Sequence, residues 1–257
     1  MKTFRILFAM TLLGWAGAAS AQTPPTPKSE VALLIEKALA SDIRTPEERA
    51  RDAAERKPVQ TLEFFGLQPN MTVVELFPGA GWYTKILAPV LADKGKYYAA
   101  IGASRIAPKF KEWKLDRAGS VDAKVDLKPT GQYGVFSSEV VELPIRDVDM
   151  VLTFRNYHNM VAETRALLNK AVFTALKPGG IYGIVDHTRR HMDPGNSEIW
   201  RRMDPVQVIK EVEAAGFEFV DYSTLHYRPD DELRFDSQRE SLKGYSDRFT
   251  LKFRKRK

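Results

Sequence analysis

The chain has 257 residues, 44% of them hydrophobic and 28% charged, which is enough apolar surface for one sizeable core and too much for a disordered chain. Its formal net charge of +6 is modest, and no basic stripe interleaved with aromatic residues supports nucleic-acid binding. There is no cysteine, which excludes disulfides, thiolate metal sites and a cysteine nucleophile.

The N-terminus reads as a secretory leader. Lys2 and Arg5 precede an apolar run from Ile6 to Ala19, and Ala19-Ser20-Ala21 before Gln22 is a small-x-small cleavage site. That run falls short of the ~20 residues a helix needs to span a bilayer. Cleavage between Ala21 and Gln22 is therefore expected, giving a periplasmic or secreted protein with no stable membrane span; an uncleaved anchor is the competing reading. Residues 22–28, QTPPTPK, form an extended linker. Apolar positions Leu33, Leu34, Ala38 and Leu39 mark a short helix within Val31 to Ala40. Thr45-Pro46-Glu47-Glu48 is a capping box with proline at the first helical position, opening a charged helix through Arg56. Arg49, Arg51, Asp52, Arg56 and Lys57 read most simply as a solvated face with i,i+4 pairs. The functional alternative is a lid over a substrate crevice, with a ligand contact from Asp52 or Arg56. Residues 29–57 are thus a helical N-terminal extension, and 58–257 the main domain, which begins with a helix from Pro58 to Leu67.

Met71 to Leu91 organises that domain. Thr72 to Leu76 is a β-branched apolar strand containing Glu75, and Trp82, Ile86, Leu87 and Val90 give the period of a helix. Between them, Phe77-Pro78-Gly79-Ala80-Gly81 bends the chain sharply, and the helix after it aims its free N–H groups at the crevice above the strand. No third glycine completes G-x-G-x-x-G, which disfavours a nicotinamide dinucleotide. A second strand, Lys96 to Ile101, ends in Gly102-Ala103-Ser104. Residues 105–137 are polar and basic, with Trp113 and one expected helix. Asp147 to Phe154 is a further strand, ending in the polar cluster Arg155-Asn156-Tyr157-His158-Asn159. A helix from Ala162 to Leu176 stops at Lys177-Pro178-Gly179-Gly180, and Ile181 to Val185 is a buried strand closed by Asp186. Asp204-Pro205 caps an amphipathic helix to Ala215; strands follow at Gly216 to Val220 and Arg248 to Phe253. The alternation of strands and helices argues an α/β fold with a doubly wound parallel sheet.

Glu75 followed by G-x-G at 79–81, L-K-P-G-G at 176–180 and A-G-F at 215–217 resemble the motifs of class I S-adenosylmethionine-dependent methyltransferases. The resemblance covers roughly residues 58 to 254, and L-F-P-G-A-G-W-Y-T with F-R-N-Y-H-N and V-D-H-T looks like a group of exported bacterial predicted methyltransferases. It implies a seven-stranded Rossmann-like sheet with an antiparallel last strand, S-adenosylmethionine as cofactor and a small-molecule acceptor. It implies Glu75, Pro78, Gly79, Gly81 and Gly102 at the cofactor, and Glu139, from E-V-V-E-L-P against the family's D-A-x-x-L-P, near the adenine. Phe77 stands where the family has its first glycine, and no carboxylate closes the second strand, where the family has a ribose-binding acid. His158 is the candidate base, with Asn156 and Tyr157 beside it, because the 147–154 strand would end next to the methyl group. The Asp/Asn-P-P-aromatic signature of amide or base N-methylation is absent. Asp186, His187, His191 and Asp193 offer a rival reading as a zinc or manganese site, disfavoured because strand neighbours Asp186 and His187 face opposite ways; an acceptor-pocket loop is preferred, and no metal is expected. An exported, non-enzymatic ligand-binding relic of the fold is the alternative to an enzyme. It is favoured by the compartment, since a charged sulfonium zwitterion does not cross a bilayer unaided.

Overall fold

The computed structural model describes residues 27–256; the expected leader, and the expected linker up to residue 26, lie outside them. Helix α1 (Glu30–Leu39) starts where Ser29 accepts from the Ala32 amide at 3.1 Å, and it buries Val31, Ile35 and Ala38 at helical spacing. The capping box closes both ways at α2 (Pro46–Arg51), with Glu48 N to Thr45 Oγ1 at 3.3 Å and Thr45 N to Glu48 Oε2 at 2.9 Å. The charged helix does not continue as α-helix. It widens into a single π turn, Asp52–Arg56, then passes through Lys57 at φ 40° into α3 (Pro58–Phe65). Nor is this face simply solvated, because Arg44, with no exposed side-chain surface, clasps Asp52 through two bonds of 2.6 Å, and Arg56 is buried.

Strand β1 (Thr72–Leu76) is buried on both faces, as a central parallel strand must be, and leads through the glycine turn to α4 (Thr84–Leu91). Ile86, Leu87 and Leu91 of α4 are fully buried, each contributing about 1.5–3 kcal/mol. After β2 (Lys96–Ala100), the helix expected within 105–137 does not form. Ile106, Phe110 and Trp113 bury at helical spacing, yet the chain winds through two short 3₁₀ turns and reverses at Lys114, φ 55°. A strand follows that periodicity did not reveal, β3 (Ala118–Ser120), too short to show alternation. Beyond it, β4 (Lys124–Val125), β5 (Lys128–Pro129), β6 (Phe136–Ser137) and β7 (Val141–Glu142) form two small antiparallel pairs, β4 with β7 and β5 with β6.

The chain then returns to the main sheet through β8 (Val148–Phe154), α5 (Ala162–Ala175), β9 (Leu176–His187), α6 (Pro205–Ala214), β10 (Phe217–Ser223) and β11 (Arg248–Lys255). The seven strands lie in the order β10-β11-β9-β8-β1-β2-β3. Neighbours from β9 to β3 run parallel, while β11 runs antiparallel to both β9 and β10. This is the doubly wound, mostly parallel sheet expected. Helices α1, α3 and α4 pack on one face around Leu62, Phe65 and Ile86; α5 and α6 pack on the other around Leu168, Val172 and Val208. The strand order reverses between β1 and β8, which opens a crevice above their C-terminal ends.

Candidate functional site

The crevice encloses about 790 Å³. Its floor is the turn after β1, where three of five residues take left-handed backbone: Phe77 at φ 52°, Gly79 at 60° and Gly81 at 87°. Glycine supplies two of these without strain. Phe77 is held there at a cost, by its N–H to Ala100 O at 3.0 Å and by Asn156 Nδ2 donating to its carbonyl at 3.2 Å. The two glycines serve different ends. A Cβ on Gly79 would meet nothing within 4 Å and would stand in the open crevice, whereas one on Gly81 would lie 2.7 Å from the buried Trp113 ring. Gly81→Ala is therefore expected to cost about 2–4 kcal/mol, from left-handed strain plus overpacking, and Gly79→Ala only about 1–2 kcal/mol. Urea unfolding of the two variants checks this; equal losses would contradict it.

Glu75 is 3% exposed, and its Oε2 accepts from Tyr97 OH at 2.6 Å and Thr84 Oγ1 at 2.9 Å, leaving Oε1 for the crevice it lines. Burial pushes its carboxyl up to about 7, against the pull of those two hydroxyls. A carboxyl raised on folding stabilises the fold at acid pH and loses that contribution as pH climbs from about 4.5 to about 7. Glu75→Gln is accordingly expected to be more stable than the wild type at pH 8 by up to about 3 kcal/mol, and no more stable at pH 4. Thermal melts at both pH values test this, and a difference independent of pH would refute it.

At the end of β8, Phe154 stacks on Tyr83, ring centroids 3.6 Å apart, and Arg155 turns at φ 59° with its N–H on Val185 O at 2.7 Å. Asn156 ties the ends of β1 and β8 together by donating to both Phe77 O and Phe154 O. Tyr157, read as a neighbour of the base, instead turns fully into the core under α5 and α6; its hydroxyl donates to Glu211 and accepts from Asn169, and it lines neither large cavity. His158 lines both the crevice and a second cavity of about 680 Å³ walled by Trp200 and Tyr133. Its backbone N–H donates to Asp186 Oδ2 at 3.0 Å, and its Nδ1 lies 2.6 Å from Oδ1. With Nδ1 committed to the carboxylate, Nε2 is the nitrogen left for chemistry.

The residues of the rival metal reading diverge. Asp186 is saturated by His158 and by the His187 amide at 2.7 Å; His187 Nδ1 meets Ser246 Oγ at 2.9 Å. Burial and the Arg248 charge hold the His187 imidazole well below its usual range, so it is neutral. His191 pairs with Asp204, the N-cap of α6, and Asp193 caps the Gly195 amide. Among the described residues no group of three His, Asp or Glu is placed to hold a metal ion.

At the end of β2, Ile101 (φ 53°) and Gly102 (φ 76°) border a shallow depression of about 400 Å³ that also touches Ser104, Ser120 and Asp122. An acid does stand beside this strand end, supplied by the turn after β3. Glu139 is exposed, just before β7, and lines none of these cavities. Asp122-Ala123 precedes β4 and Leu143-Pro144 follows β7, so the two short antiparallel pairs lie between them. The crevice cations Arg56, Arg155 and Arg248 were not all legible in the same way; only Arg56 was a candidate contact.

No family model matches the chain, and no curated protein matches its sequence. Solved structures do match. An S-adenosylmethionine-dependent methyltransferase from Aquifex aeolicus superposes with a TM-score of 0.54 at 17% identity, over 89% of this chain and 100% of that one. Human N-acetylserotonin methyltransferase in complex with S-adenosylmethionine gives 0.51 at 13% identity, over 88% and 57%. The [4+2]-cyclase SpnF gives 0.52 at 15% identity, over 88% and 93%. The chain therefore has the Rossmann-like fold of the class I methyltransferases. That fold also carries other chemistry, so the activity has to be argued from the site.

Proposed function

We propose that this protein is an S-adenosylmethionine-dependent methyltransferase of a small-molecule acceptor, and that it acts after export. The observation that carries the reading is His158, oriented by Asp186 on the partition between the glycine-turn crevice and the aromatic cavity. The cofactor fits the residues present: Gly79 faces space that a side chain would fill, Glu75 offers Oε1 to an ammonium, and Gly102, Ser104 and Asp122 border a depression suited to a nucleoside. When bound, S-adenosylmethionine would supply an electrophilic methyl group. The chain's own work is to position the reactants and exclude water. Trp200 and Tyr133 supply an apolar wall for the acceptor, Asn156 holds the two strand ends in register, and His158 Nε2 receives a proton from an acceptor hydroxyl or amine.

Calorimetric titration with S-adenosylmethionine and S-adenosylhomocysteine tests the proposal. Micromolar binding is expected, weakened at least tenfold by Gly79→Asn, because asparagine tolerates the left-handed backbone while its side chain occupies the crevice. No heat and no thermal shift at millimolar ligand would overturn it. Export is supported by Lys2, Arg5, the apolar run and Ala19-Ser20-Ala21. A periplasmic protein whose mass begins at Gln22 is the expected product, and an unprocessed chain in the cytosol would refute that part. The second reading, ligand binding without methyl transfer, is favoured by Phe77 in place of glycine and by the missing carboxylate on β2 itself. Retained binding with no transfer to any acceptor would select it.

A further inference from the structure

Three guanidinium groups converge on the glycine-turn crevice, which meets the aromatic cavity at His158. Arg56 comes from the π turn, Arg155 from the end of β8 and Arg248 from the start of β11, and all three also line one recess of about 10 Å³ beneath the crevice. Arg56 is 7% exposed and Arg248 4%. None of the three is in an ion pair among the described residues. Arg248 donates only to the backbone carbonyls of Glu55 and Gly244, and the Nε atoms of both Arg56 and Arg248 are buried without a partner. The nearby acids are otherwise engaged: Glu55 holds Arg51 at 2.9 Å, Glu75 serves Tyr97 and Thr84, and Asp186 serves His158 and His187. Ser237, 1% exposed, lines the same crevice with its hydroxyl unpartnered.

Stacking explains part of the arrangement, since the Arg56 guanidinium lies 4.3 Å from the centre of the Trp82 ring. It does not explain three like charges side by side. Burial, and behind it the like charges of Arg155 on Arg56 and Arg248 and of Arg51 on Arg155, press all three guanidinium groups below their usual range. A guanidinium does not shed its proton near neutral pH, so an anion bound among the three relieves their repulsion.

We infer that the acceptor is itself an anion, whose carboxylate or phosphoryl group is bound by Arg56, Arg155 and Arg248 within reach of His158. This rests on the methyltransferase reading for the word acceptor, and on the cation cluster alone for the anion. Planar forks from three directions suit the oxygens of such a group, and Ser237 adds a hydroxyl donor.

The test uses the mature protein, inorganic phosphate as probe in low-chloride buffer, and Arg155→Gln, chosen because among the described residues Arg155 hydrogen-bonds only through its backbone. Phosphate is expected to raise the melting temperature of the wild type with or without saturating S-adenosylhomocysteine. In Arg155→Gln the phosphate affinity falls at least tenfold, while S-adenosylhomocysteine still binds and the ligand-free variant melts no lower than the wild type. Phosphate and S-adenosylhomocysteine displacing each other would overturn the inference, because the cluster would then serve the cofactor carboxylate. S-adenosylhomocysteine binding with no phosphate effect would overturn it and leave the methyltransferase reading intact. Phosphate binding without any S-adenosylhomocysteine binding would remove the acceptor assignment together with that reading.

Discussion

Alanine in place of His158 is expected to lower kcat/KM for methyl transfer by about 10²- to 10⁴-fold, the span of a positioned general base. S-adenosylhomocysteine affinity should change little, because the glycine turn, Glu75 and the Gly102 depression make no hydrogen bond to the imidazole. Asp186→Asn should fall in the same range through positioning alone. Three N–H groups point at this carboxylate, from the His158 backbone, the His158 ring and the His187 backbone. An amide with its oxygen at Oδ1 sets its own N–H groups against the His158 backbone N–H, leaving a buried donor unmet at about 1–3 kcal/mol of stability, and a neutral acceptor holds the ring more weakly than the carboxylate does. Steady-state kinetics with the cofactor saturating, beside calorimetry on the same variants, separates the two effects. Loss of cofactor binding in His158→Ala would show that the residue shapes the crevice and is not the base.

The largest effect on stability is expected at Arg202, the largest fully buried side chain among the described residues. Its Nη2 meets Asp231 Oδ1 at 2.9 Å, its Nε donates to Phe235 O at 2.8 Å and its Nη1 to Thr188 O at 3.0 Å. Asp231 in turn accepts from the Leu233 and Asp247 amides. The pair thus pins the segment after β9 to the long connection before β11, and that connection carries the crevice residues Ser237, Gln238 and Lys243. Arg202→Met leaves a buried carboxylate without its cation and two orphaned backbone carbonyls, so it should cost about 3–5 kcal/mol. At about 2–4 °C per kcal/mol for a chain of this size, the melting temperature should fall by roughly 10 °C. Arg202→Met with Asp231→Leu should recover much of that, since removing both charges is far cheaper than removing one. A single variant as stable as the wild type would show that the pair is dispensable.

Local rules made most of the scaffold legible. The capping box at Thr45–Glu48, the Asp204-Pro205 cap and the β1–turn–α4 unit all appear within a residue or two of their expected places, because each is decided by neighbours a few positions apart. The readings that moved lie where local signals ran out. β3 has three residues, too few to show a period, and the hairpins that follow carry Asp122 and Glu139 to different places. His158 and Tyr157 are adjacent in a polar cluster, and nothing in that cluster says which ring faces the crevice.

Composition and periodicity by themselves determined that the chain builds a parallel α/β sheet, where its glycine turn falls and that His158 stands at a strand end, because backbone preference and side-chain period act over a few residues. Only the tertiary structure decided that Arg56, Arg155 and Arg248 meet, that Asp186 holds His158, and that Tyr157 turns away. Distances between residues so far apart in the chain are set by how helices pack on a twisted sheet, and a count of charges along the chain carries no record of that packing.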